Sequence, residues 1–432
     1  MKSKARFRQF SGNLIALSTG TVQQTLIQIV SIPIFLSVFR TERYAEWLIA
    51  FNIAQFTMLL DFGTITSSQN SFKFLNANGQ KDIIYKRVKQ ISNLILLTFF
   101  GYIVLLILVH EIYQLSFYLS LTAIFILSNL LQSYFGLLES LTRMDSRTSL
   151  GIYLSNMLRI VEFIGICLGL FLYSQSLIAV ALCGLFLKSI CFILTALRLR
   201  ERYHFIEIER IDLTRMVQNL REGAPFLLLK SSEWMLISGT VILIHGHISA
   251  GDLILFVTSR TFFRLGFQLT TLVTFAYGYE MTKCWASKDY PGFLLTIQRC
   301  VRVSALLSTV GFLSYWTIGS KIFSFWTDSR FVLSREVLIW GVFYSLFLSI
   351  NQNQKTKFNA INANLLVSVA QILISAALVS YIFIQNNIFS VVEMFIMITL
   401  TEMLSYSVIR ILMRGKIRKT MLDLSEKNIT SK

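Results

Sequence analysis

Long apolar runs separated by short polar gaps repeat along the whole chain of 432 residues. The runs cover residues 10–39, 44–72, 91–109, 116–138, 149–172, 177–197, 223–245, 249–277, 293–319, 332–350, 361–384 and 388–411. Each is near or above the roughly 20 residues that a helix needs to cross a hydrocarbon core of about 30 Å. Because lipid cannot hydrogen-bond an exposed backbone, such runs cross a membrane as helices. The pattern predicts an all-α, polytopic membrane protein with about twelve transmembrane helices.

Basic residues fall mainly into every second gap between these runs. About 30 of the 40 lysines and arginines lie in one set of gaps, at 2–8, 73–89, 143–147, 198–221, 283–302, 355–357 and 410–432. The other gaps hold Arg40, Arg43, Lys321, Arg330 and Arg335. Cytoplasmic loops of membrane proteins carry the excess of Lys and Arg. We therefore expect a multi-pass protein of the bacterial inner membrane with both termini in the cytoplasm.

The longest gap, Arg198–Glu222, is charged and amphipathic, and it divides the runs into six and six. It predicts an N-terminal six-helix bundle at 1–197, a cytoplasmic linker at 198–222, and a C-terminal six-helix bundle with a short basic tail at 223–432. Weak similarity between 44–49 and 250–255, each opening the second run of a half with an acidic residue at the helix start, is typical of a parallel repeat. A central cavity between the two bundles would follow.

The composition agrees with a membrane protein and excludes several other classes. Hydrophobic residues make up 54% of the chain and the net charge is +17. Basic residues beside membrane spans contact anionic membrane lipids, so this charge does not indicate a nucleic-acid partner. The five cysteines have no metal-ligand spacing, and His245 and His247 lie far from the other two histidines, so we expect neither metal nor cofactor. No nucleophile has a recognisable base and no phosphate-binding loop is present, which argues against an enzyme.

Five basic residues lie inside the apolar runs, where a charge costs a few kcal/mol or more. They are Arg159, Lys188, Lys230, Arg260 and Arg264, and we regard them as candidate substrate-binding residues. Arg260 and Arg264 are four positions apart and share a helical face, and Arg260 lies roughly 12 Å along its helix from Asp252. A planar guanidinium binds phosphate through two hydrogen bonds and stays charged, so the pair suits a phosphate or pyrophosphate cargo. The alternative is a structural pair with an acidic side chain of a neighbouring helix, such as Glu233.

The other charged candidates have simpler interpretations as well. Lys230 and Glu233, like Arg159 and Glu162, are three positions apart and can neutralise each other on one helical face. Lys188 stands alone in its run, where it would snorkel or contact a carbonyl of a neighbouring helix. Asp61 precedes Gly63, which allows the chain to bend, and a helix-end hydrogen bond is its simplest role. Together with Glu233 and Glu280, Asp61 is a candidate coupling or gating residue.

Two segments carry a family resemblance. The second run starts with Arg43-Tyr44-Ala45-Glu46-Trp47 and leads to Asp61-Phe62-Gly63, and the eighth contains FVTSRTFFRLGFQL at 256–269, followed by Glu280. In these features the chain resembles the bacterial polysaccharide flippases, the O-antigen repeat-unit translocases of the multidrug/oligosaccharidyl-lipid/polysaccharide exporter superfamily. Glu280 falls where a glutamate often ends the corresponding segment in that family, although the prolines usual there are missing here.

The resemblance implies a V-shaped transporter of twelve helices that moves an undecaprenyl-pyrophosphate-linked oligosaccharide from the cytoplasmic to the periplasmic leaflet during lipopolysaccharide biosynthesis. It also implies a polysaccharide polymerase and a chain-length regulator as partners. An ion-coupled multidrug exporter of the same fold is the first alternative, but a cationic drug would require carboxylates where this chain has an excess of basic residues. A membrane-embedded polysaccharide polymerase is the second, and its catalytic loop would need more acidic residues than the one, Asp328, in the gap 320–335.

Overall fold

The computed structural model describes residues 2–59, 61–77, 80–113, 116–144, 148–203, 213–286, 289–361, 364–385 and 389–430. In these ranges the chain forms helices and no β-strand. The helices are α1 Lys2–Val38, α2 Thr41–Ala54, α3 Thr64–Ala77, α4 Lys81–Tyr113, α5 Ser116–Met144, α6 Thr148–Leu172, α7 Leu177–Tyr203, α8 Leu213–Trp234, α9 Thr240–Ile244, α10 Ala250–Ala286, α11 Tyr290–Trp326, α12 Arg335–Ala360, α13 Asn364–Ile384 and α14 Val391–Thr430. The predicted all-α class is confirmed. Of the predicted linker, residues 204–212 lie outside the described ranges, as do Arg147, Lys288 and Lys432.

The helices correspond to the predicted apolar runs. A 3-10 turn, Gln55–Leu59, follows α2 within the second run, and a π-helical turn, Met235–Gly239, joins α8 to α9 within the seventh. If each of these broken helices is counted once, the described ranges contain twelve helical segments, as the sequence predicts. Eight helices of the described ranges are long and apolar enough to cross a membrane by length and composition. The helices α10 and α12 are not among the eight. The charged residues of α10 are spread along its length, whereas those of α12 lie near its two ends.

The chain divides into two compact units, Met1–Ile254 and Leu255–Lys432. In the first unit, α3 to α7 surround an apolar core in which Phe72, Ile84, Ile91 and Phe135 are almost completely buried. Two contacts bring ends of helices together there. Arg43 donates a hydrogen bond to the carbonyl of Gln175 at 2.6 Å, and Arg87 forms an ion pair with Glu222. Each contact joins two gaps that the alternation of basic residues assigned to one side of the membrane.

The first unit contains a sharp bend between α2 and α3. Phe62 and Gly63 have φ angles of 48° and 70°, a left-handed conformation that glycine adopts without strain. The 3-10 turn Gln55–Leu59 precedes this bend and interrupts the helix. Two carbonyls at the end of α2 accept hydrogen bonds there from side chains of other helices. The Tyr102 hydroxyl donates to the carbonyl of Ile53 at 3.2 Å, and the Asn129 amide donates to that of Ala54 at 2.9 Å. Side chains of α4 and α5 therefore stabilise the interruption.

The segment 213–244 packs in the first unit, whereas the sequence assigned residues from 223 onward to the second bundle. The reason is a close contact between α8 and the bend before α3. A Cβ atom on Gly223 would overlap the carbonyl oxygen of Phe62, and one on Gly63 would overlap that of Gly223. Trp234, at the end of α8, packs edge-on against Phe56 with ring centroids 5.2 Å apart. Two glycines thus allow the two backbones to approach without side chains between them.

Helix starts in the second half follow ordinary capping rules. Ser334 Oγ accepts a hydrogen bond from the backbone N–H of Val337, and Asp289 Oδ1 accepts one from that of Gly292. At α14, Ser390 Oγ accepts from the N–H of Glu393, whose carboxylate accepts from the N–H of Ser390, forming a capping box. These caps explain why α11, α12 and α14 begin where they do.

The acidic helix starts of the predicted repeat are only half correct. Asp252 lies in the first turn of α10, as expected. The helix α2, however, begins at Thr41, so the acidic residue of its first turn is Glu42 and not Glu46. Glu46 lies one turn further along α2.

Candidate substrate-binding site

Arg260 lies in the interior of the second unit, on α10. Only 4% of its surface is exposed, and its guanidinium carbon is 5.1 Å from the centre of the Phe256 ring, one helical turn earlier. Phe395 of α14 packs against Phe256 and Tyr344 with ring centroids 5.6 and 6.4 Å apart. Arg260 therefore lies where α10, α12 and α14 meet. Arg264, on the same face and half-buried, lies one turn further along α10.

Further charged residues gather around Tyr344. Its side chain lies within electrostatic range of Arg264, Arg260, Glu402 and Lys355. Tyr344, Lys355 and Glu402 are buried, with exposed fractions of 5%, 9% and 5%. The three cations and the carboxylate come from three helices, α10, α12 and α14. We call these five residues, together with Asn351, the Arg260 cluster.

Asn351 holds Glu402 in place within the cluster. Its amide nitrogen donates to the backbone carbonyl of Glu402 at 2.8 Å and to the carboxylate oxygen Oε2. The Asn351 side-chain oxygen is buried and makes no hydrogen bond to the described residues. At the contact between α12 and α14, Asn351 thus holds the Glu402 carboxylate in place. Its own side-chain oxygen is a buried acceptor without a hydrogen bond to the described residues.

Sequence reasoning found the two arginines of the cluster and missed the rest. The alternation of basic residues placed Lys355 in a cytoplasmic gap, and in the structure it is buried near the end of α12. Glu402 lies within the last apolar run, and an acidic residue inside such a run was the signal that could have identified it. Tyr344 and Asn351 have no comparable signal, because tyrosine and asparagine are ordinary residues in membrane helices.

The Tyr315 hydroxyl of α11 forms hydrogen bonds with the backbone of α10 beside Arg264. Its hydroxyl donates to the carbonyl of Phe262 at 2.9 Å and accepts from the backbone N–H of Gly266 at 2.8 Å. These two backbone groups are the pair that an α-helix joins directly, so Tyr315 links α11 to one turn of α10.

A small cleft opens next to Tyr315, within the second unit. It encloses about 270 Å³ including its open mouth. Its lining comes from α10, α11 and α12 and includes Gly266, Gly311, Tyr315, Ser345 and Ser349. Ser349 also accepts a hydrogen bond from Thr270 at 3.1 Å. Two hydroxyl groups of α12, those of Ser345 and Ser349, therefore line the cleft.

In the first unit, Lys188 forms a closed network with Glu162 and Ser128. Its ammonium nitrogen lies 2.7 Å from both Glu162 Oε2 and Ser128 Oγ, and Ser128 donates to Glu162 Oε1. Lys188, alone among charged residues in its own run, therefore contacts a carboxylate of α6 and a hydroxyl of α5 instead of the backbone carbonyl expected from the sequence. Arg159, expected to pair with Glu162, lies within electrostatic range of both Glu139 and Glu162.

Lys230 and Asp61 form a second ion pair in the first unit. The ammonium nitrogen lies 2.9 Å from Oδ2, and Oδ1 also accepts from the N–H of Gly63 at 3.1 Å. The helix-end hydrogen bond expected for Asp61 is thus present. The spacing of Lys230 and Glu233 did not predict the contact, since Asp61 is 169 positions away.

The two other acidic candidates, Glu233 and Glu280, are both exposed. Glu233 is exposed near the end of α8, in the first unit. Glu280 is exposed on α10, which continues past it to Ala286. The five cysteines are free, and the described residues contain no group of three or more His, Cys, Asp or Glu arranged for a metal ion.

The chain's fold is that of known transporters. The sequence matches no protein-family model and no curated protein. It is similar in structure to a multidrug-resistance MATE family transporter of the MOP superfamily in an inward-facing conformation, with a TM-score of 0.70, 12% identity, and 92% of this chain and 95% of that one covered. The same transporter type in an outward-facing conformation gives a TM-score of 0.66 at 12% identity, covering 96% of each chain.

A third similar structure is a MOP superfamily transporter from Pyrococcus furiosus, for which reverse polarity of the binding pocket suggests a different function. Its TM-score is 0.65 at 12% identity, over 96% of each chain. At these identities the likeness establishes architecture. This polytopic protein therefore has the fold of the MATE transporters of the MOP superfamily.

Proposed function

We propose that the protein is a flippase that moves a lipid-linked oligosaccharide, carried on undecaprenyl pyrophosphate, from the cytoplasmic to the periplasmic leaflet by alternating access. One observation carries the proposal: among its described residues the second unit buries three cations, Arg260, Lys355 and Lys357, but one carboxylate, Glu402. An excess of buried positive over negative charge inside a membrane protein favours an anionic cargo over a cationic one. In this cargo the anion is the pyrophosphate.

The arginine pair suits this cargo geometrically. Each guanidinium presents two parallel N–H groups to phosphate oxygens and remains charged at any physiological pH. The fold supports alternating access, since chains of this architecture have been solved in inward-facing and outward-facing conformations. In this proposal the protein transports and does not catalyse, and it works in the inner membrane of a bacterium with both termini in the cytoplasm. A polymerase and a chain-length regulator would act on the exported O-antigen units.

An ion-coupled multidrug exporter is the second candidate, because multidrug transporters share the fold. A cationic drug requires carboxylates that are free to receive it. The buried carboxylates Asp61 and Glu402 already accept hydrogen bonds from Lys230 and Asn351. The charge balance therefore favours an anionic cargo over a cationic one.

Reconstitution tests the proposal directly. Purified protein is placed in liposomes with a fluorescent undecaprenyl-pyrophosphoryl disaccharide, and the fraction accessible to an external quencher is followed with time. We expect the accessible fraction to rise towards completion with the wild type and to stay near half with an Arg260→Ala, Arg264→Ala double variant. Movement of ethidium but not of the lipid would favour the exporter instead. In cells, deleting the gene should leave lipid-linked oligosaccharide in the cytoplasmic leaflet.

A further inference from the structure

Polar side chains of three helices meet in the first unit, where α6 packs against α1 and α5. The Gln23 amide of α1 donates a hydrogen bond to the backbone carbonyl of Asn156 at 2.7 Å. The Gln132 amide of α5 donates to Ser155 Oγ at 3.2 Å. Arg159 lies one turn after Ser155 on the same face of α6. We call these five residues the Gln132 junction.

The junction lies near the middle of its membrane-spanning segments. Gln132 and Arg159 are within two positions of the centres of the candidate spans Leu119–Thr142 and Ser149–Leu172. Gln23 is equally close to the centre of the first apolar run. All three side chains are partly exposed. Because polar groups at this depth face a cavity or the bundle interior and not lipid, a hydrophilic ligand can reach the junction.

The junction has more hydrogen-bonding capacity than the described residues use. Asn156 Nδ2 and Gln132 Oε1 are buried and make no hydrogen bond to these residues, and only 9% of Asn156 is exposed. The influences on Arg159 from the described residues, Glu139 and Glu162, are electrostatic and include no hydrogen bond. A guanidinium carries five N–H donors. A ligand with several polar groups would therefore satisfy atoms that the described part of the chain leaves unpaired.

The unpaired atoms include donors and an acceptor, which indicates the class of the ligand. An ionised phosphate accepts hydrogen bonds and does not donate them, whereas a hydroxyl group does both. The carboxylates of Glu139 and Glu162, within electrostatic range of Arg159, also disfavour an anion here. Amide and guanidinium groups in this arrangement suit the hydroxyl groups of an uncharged sugar.

On the basis of the proposed function, we infer that the Gln132 junction binds a sugar ring of the lipid-linked oligosaccharide. Arg159 donates hydrogen bonds to hydroxyl oxygens of the sugar, and the side-chain amides of Gln132 and Asn156 bind neighbouring hydroxyl groups. The junction thus recognises the carbohydrate part of the cargo, whereas Arg260 and Arg264 of the second unit hold its pyrophosphate.

A junction with a purely structural role would respond differently to substitution. Loss of a structural contact changes the stability of the protein and weakens the binding of every cargo lipid alike. Loss of a sugar contact weakens the binding of a lipid that carries the sugar and leaves a lipid without it unaffected. The ratio of the two dissociation constants therefore separates the two roles.

Two adjacent glutamines of α1 provide a matched pair of variants. Gln23→Leu removes the amide that contacts Asn156, whereas Gln24→Leu changes an exposed neighbour that takes no part in the junction. Arg159→Lys keeps the charge but loses the paired N–H groups of the guanidinium. Because Arg159 makes no hydrogen bond to a described residue, we expect lysine there to leave the melting temperature unchanged.

The experiment compares farnesyl-pyrophosphoryl-N-acetylglucosamine with the same pyrophosphate diester carrying a methyl group in place of the sugar. The two lipids have the same charge. Their dissociation constants for the purified full-length protein are measured in detergent, together with its melting temperature. We expect the wild type to bind the sugar lipid about tenfold or more tightly, as for a hydrogen bond to a charged group. This preference should largely disappear in Arg159→Lys and Gln23→Leu and persist in Gln24→Leu.

The outcomes separate this inference from the function on which it rests. If wild-type protein binds neither lipid, the flippase proposal fails and the inference fails with it. Equal binding of the two lipids overturns the inference alone, as does a preference that survives in Arg159→Lys or in a folded Gln23→Leu. If Gln23→Leu does not fold, the result with Arg159→Lys decides. A preference that is also lost in Gln24→Leu would overturn the inference, because the effect would then not depend on the junction.

Discussion

The ammonium nitrogen of Lys230 on α8 lies 2.9 Å from the carboxylate oxygen Oδ2 of Asp61, in the turn that joins α2 to α3. The Asp61 side chain is almost fully buried, with 3% exposed, whereas 36% of the Lys230 side chain is exposed. The ion pair therefore links the bend between α2 and α3 to α8. Lys230 lies about one helical turn before the π-helical turn Met235–Gly239 that follows α8. The ion pair fixes the position of α8 in the first unit.

We expect Asp61→Asn to lower the free energy of unfolding by about 1–3 kcal/mol, because the amide leaves Lys230 without its counter-charge. Adding Lys230→Met removes that charge, and the double variant should recover most of the loss. Thermal unfolding of the purified protein in detergent measures both effects. Lys321→Gln, at an exposed position of α11, serves as the control. A double variant no more stable than Asp61→Asn would show that the carboxylate acts mainly through its other contacts.

Gly223→Ala tests the close approach of α8 to the bend. The added methyl group would overlap the carbonyl oxygen of Phe62, so the backbones must separate. We expect a loss of about 1–3 kcal/mol, the usual range for overpacking. Gly101→Ala on α4 is the matched control, because nothing lies within 4 Å of its added Cβ, and alanine there should leave the melting temperature unchanged or slightly higher. Equal stability of the two variants would contradict the packing.

The sequence predicts the helices far better than their interruptions. Twelve apolar runs give twelve helical segments because membrane helices need little beyond length and hydropathy. The 3-10 turn after α2 and the π-helical turn after α8 depend on partners distant in sequence, such as Tyr102, which satisfies the carbonyl of Ile53. Only Gly63 marked one of these bends in advance. The position of 213–244 in the first unit likewise depends on the contact of Gly223 with that bend.

The charged residues show the same division between what the sequence predicts and what depends on residues distant in the chain. A charge inside an apolar run is visible in the sequence, so Arg260 and Arg264 were found. The residue that pairs with such a charge cannot be identified from the sequence, because spacing along one helix reveals only neighbours on that helix. Lys188 contacts Glu162, 26 positions away on α6, and this pairing required the helices to be assembled.

The arginine pair predicts a graded loss of export. Arg260→Lys keeps the charge but loses the two-pronged hydrogen bond, so we expect partial export, and Arg260→Ala should be more severe, by about tenfold or more. Surface polysaccharide and membrane abundance are measured together in each strain. Arg302→Ala, exposed on α11, should export normally. Full export by an abundant Arg260→Ala, Arg264→Ala double variant would eliminate the phosphate-binding role.

Tyr315→Phe tests the hydrogen bonds between α11 and the backbone of α10. Without the hydroxyl, the N–H of Gly266 and the carbonyl of Phe262 lose the partner that α11 provides, so the contact between the two helices beside Arg264 should loosen. We expect a stability change of about 1 kcal/mol and a larger change in the rate of lipid movement in liposomes. Tyr381→Phe, on an exposed part of α13, is the control. A normal rate in Tyr315→Phe would indicate that this contact is not needed for movement.

The Lys188 network predicts a stability effect separate from transport. Lys188→Met leaves the Glu162 carboxylate at mid-span with Ser128 as its remaining partner in the network. Breaking a buried ion pair on one side typically costs about 3–5 kcal/mol, so membrane abundance should fall sharply. Ser128→Ala should cost less, about 1 kcal/mol, because the ion pair survives.

The Lys188→Met, Glu162→Gln double variant removes both charges and keeps a polar group facing Ser128. Its abundance should return, and because both charges serve to hold α5, α6 and α7 together, it should also export polysaccharide normally. If this variant is abundant but does not export, Lys188 contacts the cargo or its coupling ion, and the structural role is wrong. Immunoblotting of membranes beside surface polysaccharide in the same strains distinguishes the two results.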